Sequence, residues 1–348
     1  MTRIALAGAG GMAGVHARSY AAIPGADLVG VMDICLDAAT TLGTPLGAAP
    51  FSNFETMLES TSPDVVDVCV PTPFHLEYVL KALESNARAV IVEKPMARTV
   101  EECKTMIEAA RAARKPLFVA HVLRFFPEYC EAKRQVESGA VGNTATIRMR
   151  RGGPFPRGWE NWYGKMAWSG GTPLDLIIHD FDWLRWTFGE VERVYAKTLS
   201  SKCLPTDSEP ESYMVRDYAL VTLRFKSGAL AHVEGTWADP GGFKVSFEIA
   251  GDEGLLEYNF NQPASPTLLA SVLTEADQRV GVPVPDSPVA SNPYQSELEH
   301  FLHCLETGQK SLISPEDGLA AVAIAEAANE SAMTGQPVTL KEGGNQCA

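Results

Sequence analysis

Apolar positions along this chain follow two regimes, and the change between them comes near residue 121. Before it, short unbroken apolar runs such as Ile4-Ala5-Leu6-Ala7 and Ala89-Val90-Ile91-Val92 alternate with helical stretches. Runs of this length, apolar at every position, suit strands covered on both faces of a parallel sheet. The pattern predicts strands at 3–7, 26–32, 65–70, 89–92 and 117–120. Helices are predicted at 14–23, 54–59, 74–86 and 99–114. The last of these opens on Thr99 with Glu102 three residues on, the signature of a capping box. Strands alternating with helices make a doubly wound parallel sheet, which assigns residues 1–120 to one domain.

Beyond residue 121 the alternation is lost. A helix is predicted at 129–138, a strand at 144–151, an irregular aromatic segment at 154–163 and a helix at 174–188. Strand-like runs then follow one another at 191–199, 218–225, 230–237, 244–250, 255–258 and 268–274, broken by Gly, Pro or Asp. Strands without intervening helices indicate a large, mostly antiparallel open sheet. Helices at 294–305 and 315–333 close the chain. The fold class is therefore α/β, a doubly wound domain at 1–120 followed by an α+β domain at 121–348.

The turn after the first strand reads Gly8-Ala9-Gly10-Gly11-Met12-Ala13, matching G-x-G-x-x-G/A. Small residues are needed at three points: for the tight turn, for backbone approach to a pyrophosphate, and for close packing of helix on strand. Free N–H groups at the start of the following helix then bind phosphate. Asp33 ends the next strand, where a carboxylate accepts hydrogen bonds from ribose hydroxyls. The same carboxylate repels a 2′-phosphate, and Ile34-Cys35-Leu36 offers no arginine to hold one, so NAD is expected over NADP. This makes the first domain a Rossmann dinucleotide-binding domain. Its cofactor-side residues are expected to be Gly8, Gly10, Gly11, Met12, Ala13, Asp33, Pro71, Thr72, His75, Glu93 and Lys94.

Charge and cysteines narrow the class further. With a net charge of −14, the chain lacks the clustered cations that nucleic acid demands. Its seven cysteines include no Cys-x-x-Cys, which suits reduced thiols in the cytoplasm, and no apolar run approaches the ~20 residues of a membrane helix. Lys94 leaves the fourth predicted strand named above at its carboxyl end, where open α/β sheets bind ligands, and Pro95 keeps it extended. Asp175 and His179 stand four apart, which on one helix places them on one face, the carboxylate orienting an imidazole base. Gly170 and Gly171 before them would let the backbone approach a ligand. Glu297, His300 and His303 drift off a common face and complete no donor set, so no metal site is expected.

The Gly8–Ala13 turn, Pro71-Thr72-Pro73-Phe74-His75, Glu93-Lys94-Pro95 and Asp175-x-x-x-His179 together resemble the Gfo/Idh/MocA family, and so does the tail at 330–338. The resemblance implies hydride transfer between NAD(P) and a secondary carbinol of a sugar, inositol or related polyol. It implies Lys94, Asp175 and His179 as the catalytic set, a cis Lys94–Pro95 peptide, and a homodimer or homotetramer formed through the second sheet. Arg124, Trp159, Asn161, Trp162 and Tyr163 are expected in the sugar pocket, aromatic faces meeting C–H surfaces and polar groups meeting hydroxyls. Where many sugar-specific members carry two adjacent polar or basic residues, this chain has Leu123-Arg124. Two rival readings are a lyase or glycosidase that uses bound NAD transiently, and a non-catalytic NAD-binding regulator.

Overall fold

The computed structural model describes residues 1–156, 158–201, 215–239, 243–259, 269–273, 279–283 and 292–340. Arg157, Cys203, Cys347 and both ends of the strand predicted at 268–274 lie outside these residues. The chain divides into two compact units, 1–125 with 290–322, and 126–289 with 323–348. The sequence reading gave everything after residue 120 to the second domain; the first unit also takes in 290–322.

The first unit holds strands β1 (Thr2–Ala7), β2 (Ala26–Met32), β3 (Ala49–Phe51), β4 (Val65–Val68), β5 (Ala89–Glu93) and β6 (Leu117–Ala120). They form a six-stranded sheet in the order β3-β2-β1-β4-β5-β6, with every pairing parallel. Helices α1 (Gly11–Ala22), α2 (Leu36–Gly43), α3 (Phe54–Thr61), α4 (His75–Glu84) and α5 (Val100–Ala113) connect them. All residues of β4, β5 and β6 are buried, including the acids Asp67 of β4 and Glu93 of β5. The order reverses between β1 and β4, and ligands of such sheets bind at the carboxyl ends beside that point. The capping box on α5 is present: Glu102 donates its N–H to Thr99 Oγ1 and Thr99 donates its own to Glu102 Oε2, both at 3.2 Å. The pattern had not located α2 or β3, the latter a three-residue edge strand carrying Pro50, whose missing N–H suits only an edge.

The second unit opens with α6 (Pro127–Glu137) and β7 (Thr144–Gly152). Three helices follow: α7 (Met166–Ser169), α8 (Gly171–Asp175) and α9 (Ile178–Phe188). Then come β8 (Val191–Leu199), β9 (Tyr218–Phe225), β10 (Leu230–Thr236), β11 (Lys244–Gly251), β12 (Gly254–Asn259), β13 (Leu269–Leu273) and β14 (Arg279–Pro283). Helix α10 (Pro293–Thr307) lies in the first unit, where Phe301 stacks on Phe118 with ring centroids 5.0 Å apart. Helix α11 (Pro315–Thr334) and β15 (Val338–Thr339) complete the chain. Nine strands make a mixed sheet in the order β14-β13-β12-β11-β7-β10-β9-β8-β15, in which only β7 and β10 run parallel. The strand at 279–283 and the two-residue β15 had not been read from the pattern.

Burial alternates along β9 and β11, so one face of this sheet is covered and the other exposed. On the covered face Tyr129, Trp183, Phe247 and Tyr258 pack ring against ring, and Trp183 Nε1 donates to the Tyr129 carbonyl at 3.1 Å. Among these rings lies a buried ion pair. Arg151 of β7 donates from Nε and Nη2 to the two carboxylate oxygens of Asp180, each at 2.8 Å. Asp180→Ala leaves that guanidinium buried without its partner. The expected loss of stability is about 3–5 kcal/mol in denaturant unfolding, and replacing both residues together by apolar ones should recover most of it.

Candidate active site

The dinucleotide turn is shaped by sterics that only glycine satisfies. Gly8 has φ +103°, and a Cβ there would lie 2.5 Å from the Cys69 carbonyl oxygen at the end of β4. Around Gly10 and Gly11, by contrast, a Cβ would meet nothing within 4 Å, so the outer side of the turn is open. Helix α1 begins at Gly11 with no side-chain cap and no acid in its first turn. Its leading N–H groups therefore point at open space with the positive end of the helix dipole behind them. Ala13 is fully buried, as close helix–strand packing requires. Beside the turn, Asp33 accepts the Ala9 N–H on Oδ2 and the Cys35 N–H on Oδ1, both at 2.9 Å. The exposed side chains that follow, Ile34 and Leu36, bring no cation to it. An open phosphate cradle with a carboxylate beside it fits NAD.

The Lys94–Pro95 peptide is cis. Two neighbours shape the lysine's surroundings. Glu93 Oε2 accepts the Lys94 backbone N–H at 2.9 Å. His75, buried at the start of α4, sets Nδ1 2.9 Å from the Pro95 carbonyl oxygen and Nε2 2.9 Å from that of Val70. The ring thus ties the Pro71–Phe74 turn, which contains the buried Thr72, to the segment after β5. The sequence expects His75 on the cofactor side; in the structure its two ring nitrogens face backbone carbonyls of two segments, which the ring braces. Burial lowers its pKa, against the opposing pull of the carbonyl contacts.

In the second unit, the helix expected at 174–188 is interrupted. Leu176 and Ile177 both donate to the Thr172 carbonyl, and Ile177 sits at φ −90°, ψ 5° between α8 and α9. Asp175 therefore ends one short helix while His179 stands in the first turn of the next, not on one continuous helical face. The break is set by packing: Ile177 is buried against Gly235 of β10, where a Cβ would come within 2.6 Å of its Cγ2. The glycines ahead of it also serve packing. Gly171, at φ +71°, lies close to the Arg216 backbone, whose carbonyl takes the Thr172 N–H at 2.9 Å.

The aromatic segment forms a short 3-10 stretch, Trp159–Gly164, in which Glu160 and Asn161 adopt left-handed backbone angles. Two adjacent non-glycine residues in that region are strained, a state that surrounding structure must enforce. Trp162 is buried and stacks on Tyr163 at 3.9 Å, whereas Trp159 is 46% exposed and Asn161 is exposed. Arg124 is 2% exposed, in the first unit, and donates to the Leu312 carbonyl at 2.9 Å and to Asp317 at 3.3 Å, at the start of α11. Its guanidinium is engaged by the protein itself.

Sequence reasoning passed over two polar clusters. One joins His16 of α1, Asp67 of β4 and Glu93 of β5; the other is Arg151 with Asp180, the residue after His179. The available signal was an acid inside an apolar strand, Val65-Val66-Asp67-Val68, since a buried carboxylate requires a partner.

Two family models match the chain: "Oxidoreductase family, NAD-binding Rossmann fold" over residues 2–121, and "Oxidoreductase family, C-terminal alpha/beta domain" over 133–340. Among curated relatives, the scyllo-inositol 2-dehydrogenase (NAD(+)) of Bacillus subtilis is 29% identical, covering 97% of this chain and 96% of its own. The D-glucoside 3-dehydrogenase of Escherichia coli is 28% identical, with 97% of each chain covered. Of solved structures, levoglucosan dehydrogenase in complex with NADH and levoglucosan shares the fold with a TM-score of 0.87 at 24% identity, covering 98% of this chain and 99% of that one.

Gly8→Ala forces a left-handed alanine against the Cys69 carbonyl. It should cost about 1–3 kcal/mol of stability and abolish NAD binding in a fluorescence titration. Asp33→Ser should weaken NAD binding and narrow its advantage over NADP by about tenfold, read by titrating each nucleotide separately.

Proposed function

We propose that this chain, which belongs to the Gfo/Idh/MocA family of oxidoreductases, transfers a hydride between NAD and a secondary carbinol of a sugar, inositol or related polyol. The observation that carries this reading is the open phosphate cradle at Gly10 and Gly11 with Asp33 beside it. Two relatives that match over nearly their whole length, named for scyllo-inositol and D-glucoside oxidation, support the substrate class.

NAD, when bound, accepts or returns the hydride; everything else falls to side chains of this protein. His179 takes the proton of the reacting hydroxyl, and Asp175 orients its ring and raises its basicity. Lys94 hydrogen-bonds the same oxygen and stabilises the negative charge that develops there as the proton leaves. Trp159 offers a ring face to the C–H surface of the sugar, and Asn161 offers hydrogen bonds to its hydroxyls. Trp162 and Tyr163, stacked on each other, hold that loop in its strained form.

The exposed face of the nine-stranded sheet joins copies of the chain into a homodimer or homotetramer. One-sided burial and the exposed Tyr195, Leu220 and Leu230 on its strands favour this arrangement. The five described cysteines are all free thiols, which suits a cytoplasmic protein, and no helix among the described residues is long and apolar enough to cross a membrane.

The test is a panel of inositols, sugars, glycosides and sugar acids, followed by nicotinamide absorbance with NAD and NADP separately. Lys94→Ala should lower turnover of the best substrate by roughly 100- to 10,000-fold while leaving NAD affinity nearly unchanged. Turnover at the wild-type rate would remove Lys94 from the mechanism. Cofactor recycled within each turnover, without NADH accumulating, would indicate a redox-assisted lyase or glycosidase instead.

A further inference from the structure

Asp67 lies in the fully buried strand β4; two partners come from α1, and the Cys69 thiol donates to its Oδ1 at 3.5 Å. The Tyr20 hydroxyl donates to Oδ2 at 2.7 Å, and His16 Nδ1 lies 2.8 Å from the same oxygen. The other ring nitrogen, Nε2, lies 3.0 Å from Glu93 Oε1 on β5. The His16 and Asp67 side chains are fully buried, and that of Glu93 is nearly so. The second oxygen of Glu93 accepts the Lys94 backbone N–H. Contacts thus run from Asp67 through His16 and Glu93 to the backbone of Lys94.

A neutral imidazole donates from one nitrogen only, so its bare nitrogen would face a carboxylate at hydrogen-bonding distance. A carboxylate oxygen 2.8 Å from Nδ1 and another 3.0 Å from Nε2 together favour the imidazolium: Nδ1 hydrogen-bonds Asp67, whereas Nε2 faces Glu93 as a charge contact without hydrogen-bond alignment. Other groups facing the ring are consistent with that state. Cys69 Sγ lies 3.4 Å from Nδ1, and burial pushes its thiol pKa far up, so the sulfur is protonated at neutral pH. Burial, Asp67 and, more weakly, Glu297 of α10 likewise raise Tyr20 and keep it a donor. Burial by itself would lower the His16 pKa, but the charge and hydrogen bond of Asp67 oppose this, and the pKa is raised above the ordinary imidazole value. The ligand atoms of His16, Asp67 and Cys69 also lie within 4.8 Å of one another, a spacing a metal ion could use. Here Asp67 Oδ2 accepts the tyrosine hydroxyl and lies against the imidazole, while Oδ1 lies 3.5 Å from Cys69 Sγ.

We propose that His16 is a permanently charged positioning residue: its imidazolium fixes the Glu93 carboxylate, which in turn holds the Lys94 amide and sets the direction in which the lysine leaves β5. This inference rests on the reading of Lys94 given above. No proton moves in the role; the charge acts as a strut. Removing it leaves two buried carboxylates without their shared cation, and Glu93 is then no longer held in place.

The experiment compares the full-length wild type with His16→Asn and the isosteric Glu93→Gln. Nitrogen NMR of the imidazole should show both ring nitrogens of His16 protonated at neutral pH and above, with the titration moving down in Glu93→Gln. Hydrogen exchange at the Lys94 amide should quicken by about tenfold in His16→Asn. With the substrate found by the panel, kcat should fall roughly 10- to 100-fold in both variants while NAD affinity holds nearly steady. A neutral His16 at neutral pH, or Lys94 exchange unchanged in both variants, overturns the proposal. Should His16→Asn fail to fold, Glu93→Gln carries the test. Wild-type kcat in both variants, with Lys94→Ala inactive, defeats only the positioning role. Full turnover in Lys94→Ala defeats the mechanistic reading and leaves the NMR and exchange results standing.

Discussion

An imidazole with a carboxylate beside each ring nitrogen, sealed from water, ties three elements of the first unit together. Burying charge costs several kcal/mol per ion unless partners and geometry are both supplied. Supplying them requires α1, β4 and β5 to meet in one register, since His16, Asp67 and Glu93 come one from each. That register also presses the Gly8 turn against Cys69 and leaves Gly10 and Gly11 open outward. The phosphate cradle and the lysine at the end of β5 thus flank one buried polar core.

The second unit repeats the logic with different chemistry. Arg151 and Asp180 form a forked ion pair among aromatic rings, and the acid directly follows His179 in the chain. Glu93, likewise, directly precedes Lys94. In both units a residue assigned to chemistry is the chain neighbour of a residue locked by buried charge. Side chains that must be held within a fraction of an ångström benefit from backbone that cannot drift.

Arg124 and His75 illustrate polar side chains whose observed contacts reach distant parts of the protein's own framework. Arg124 reaches Leu312 and Asp317, partners nearly two hundred residues away. His75 spans carbonyls that belong to two separate strand ends. Neither partner set has any signature in the residues adjacent to the arginine or the histidine.

The sequence by itself determined the doubly wound sheet, the glycine turn, Asp33 at the end of β2, the capping box on α5 and most strands of the second sheet. Those features arise from local sterics, two- and 3.6-residue periodicity and nearest-neighbour hydrogen bonds, all written within a few positions of one another. Only the tertiary structure decided that the Asp175–His179 segment breaks at Ile177, because the cause is a glycine on β10. It alone moved residues 290–322 into the first unit, through the seating of α10. It alone joined His16 to Asp67 and Glu93, because partners more than fifty residues apart leave no periodic trace and a buried charge declares itself only once its surroundings are folded around it.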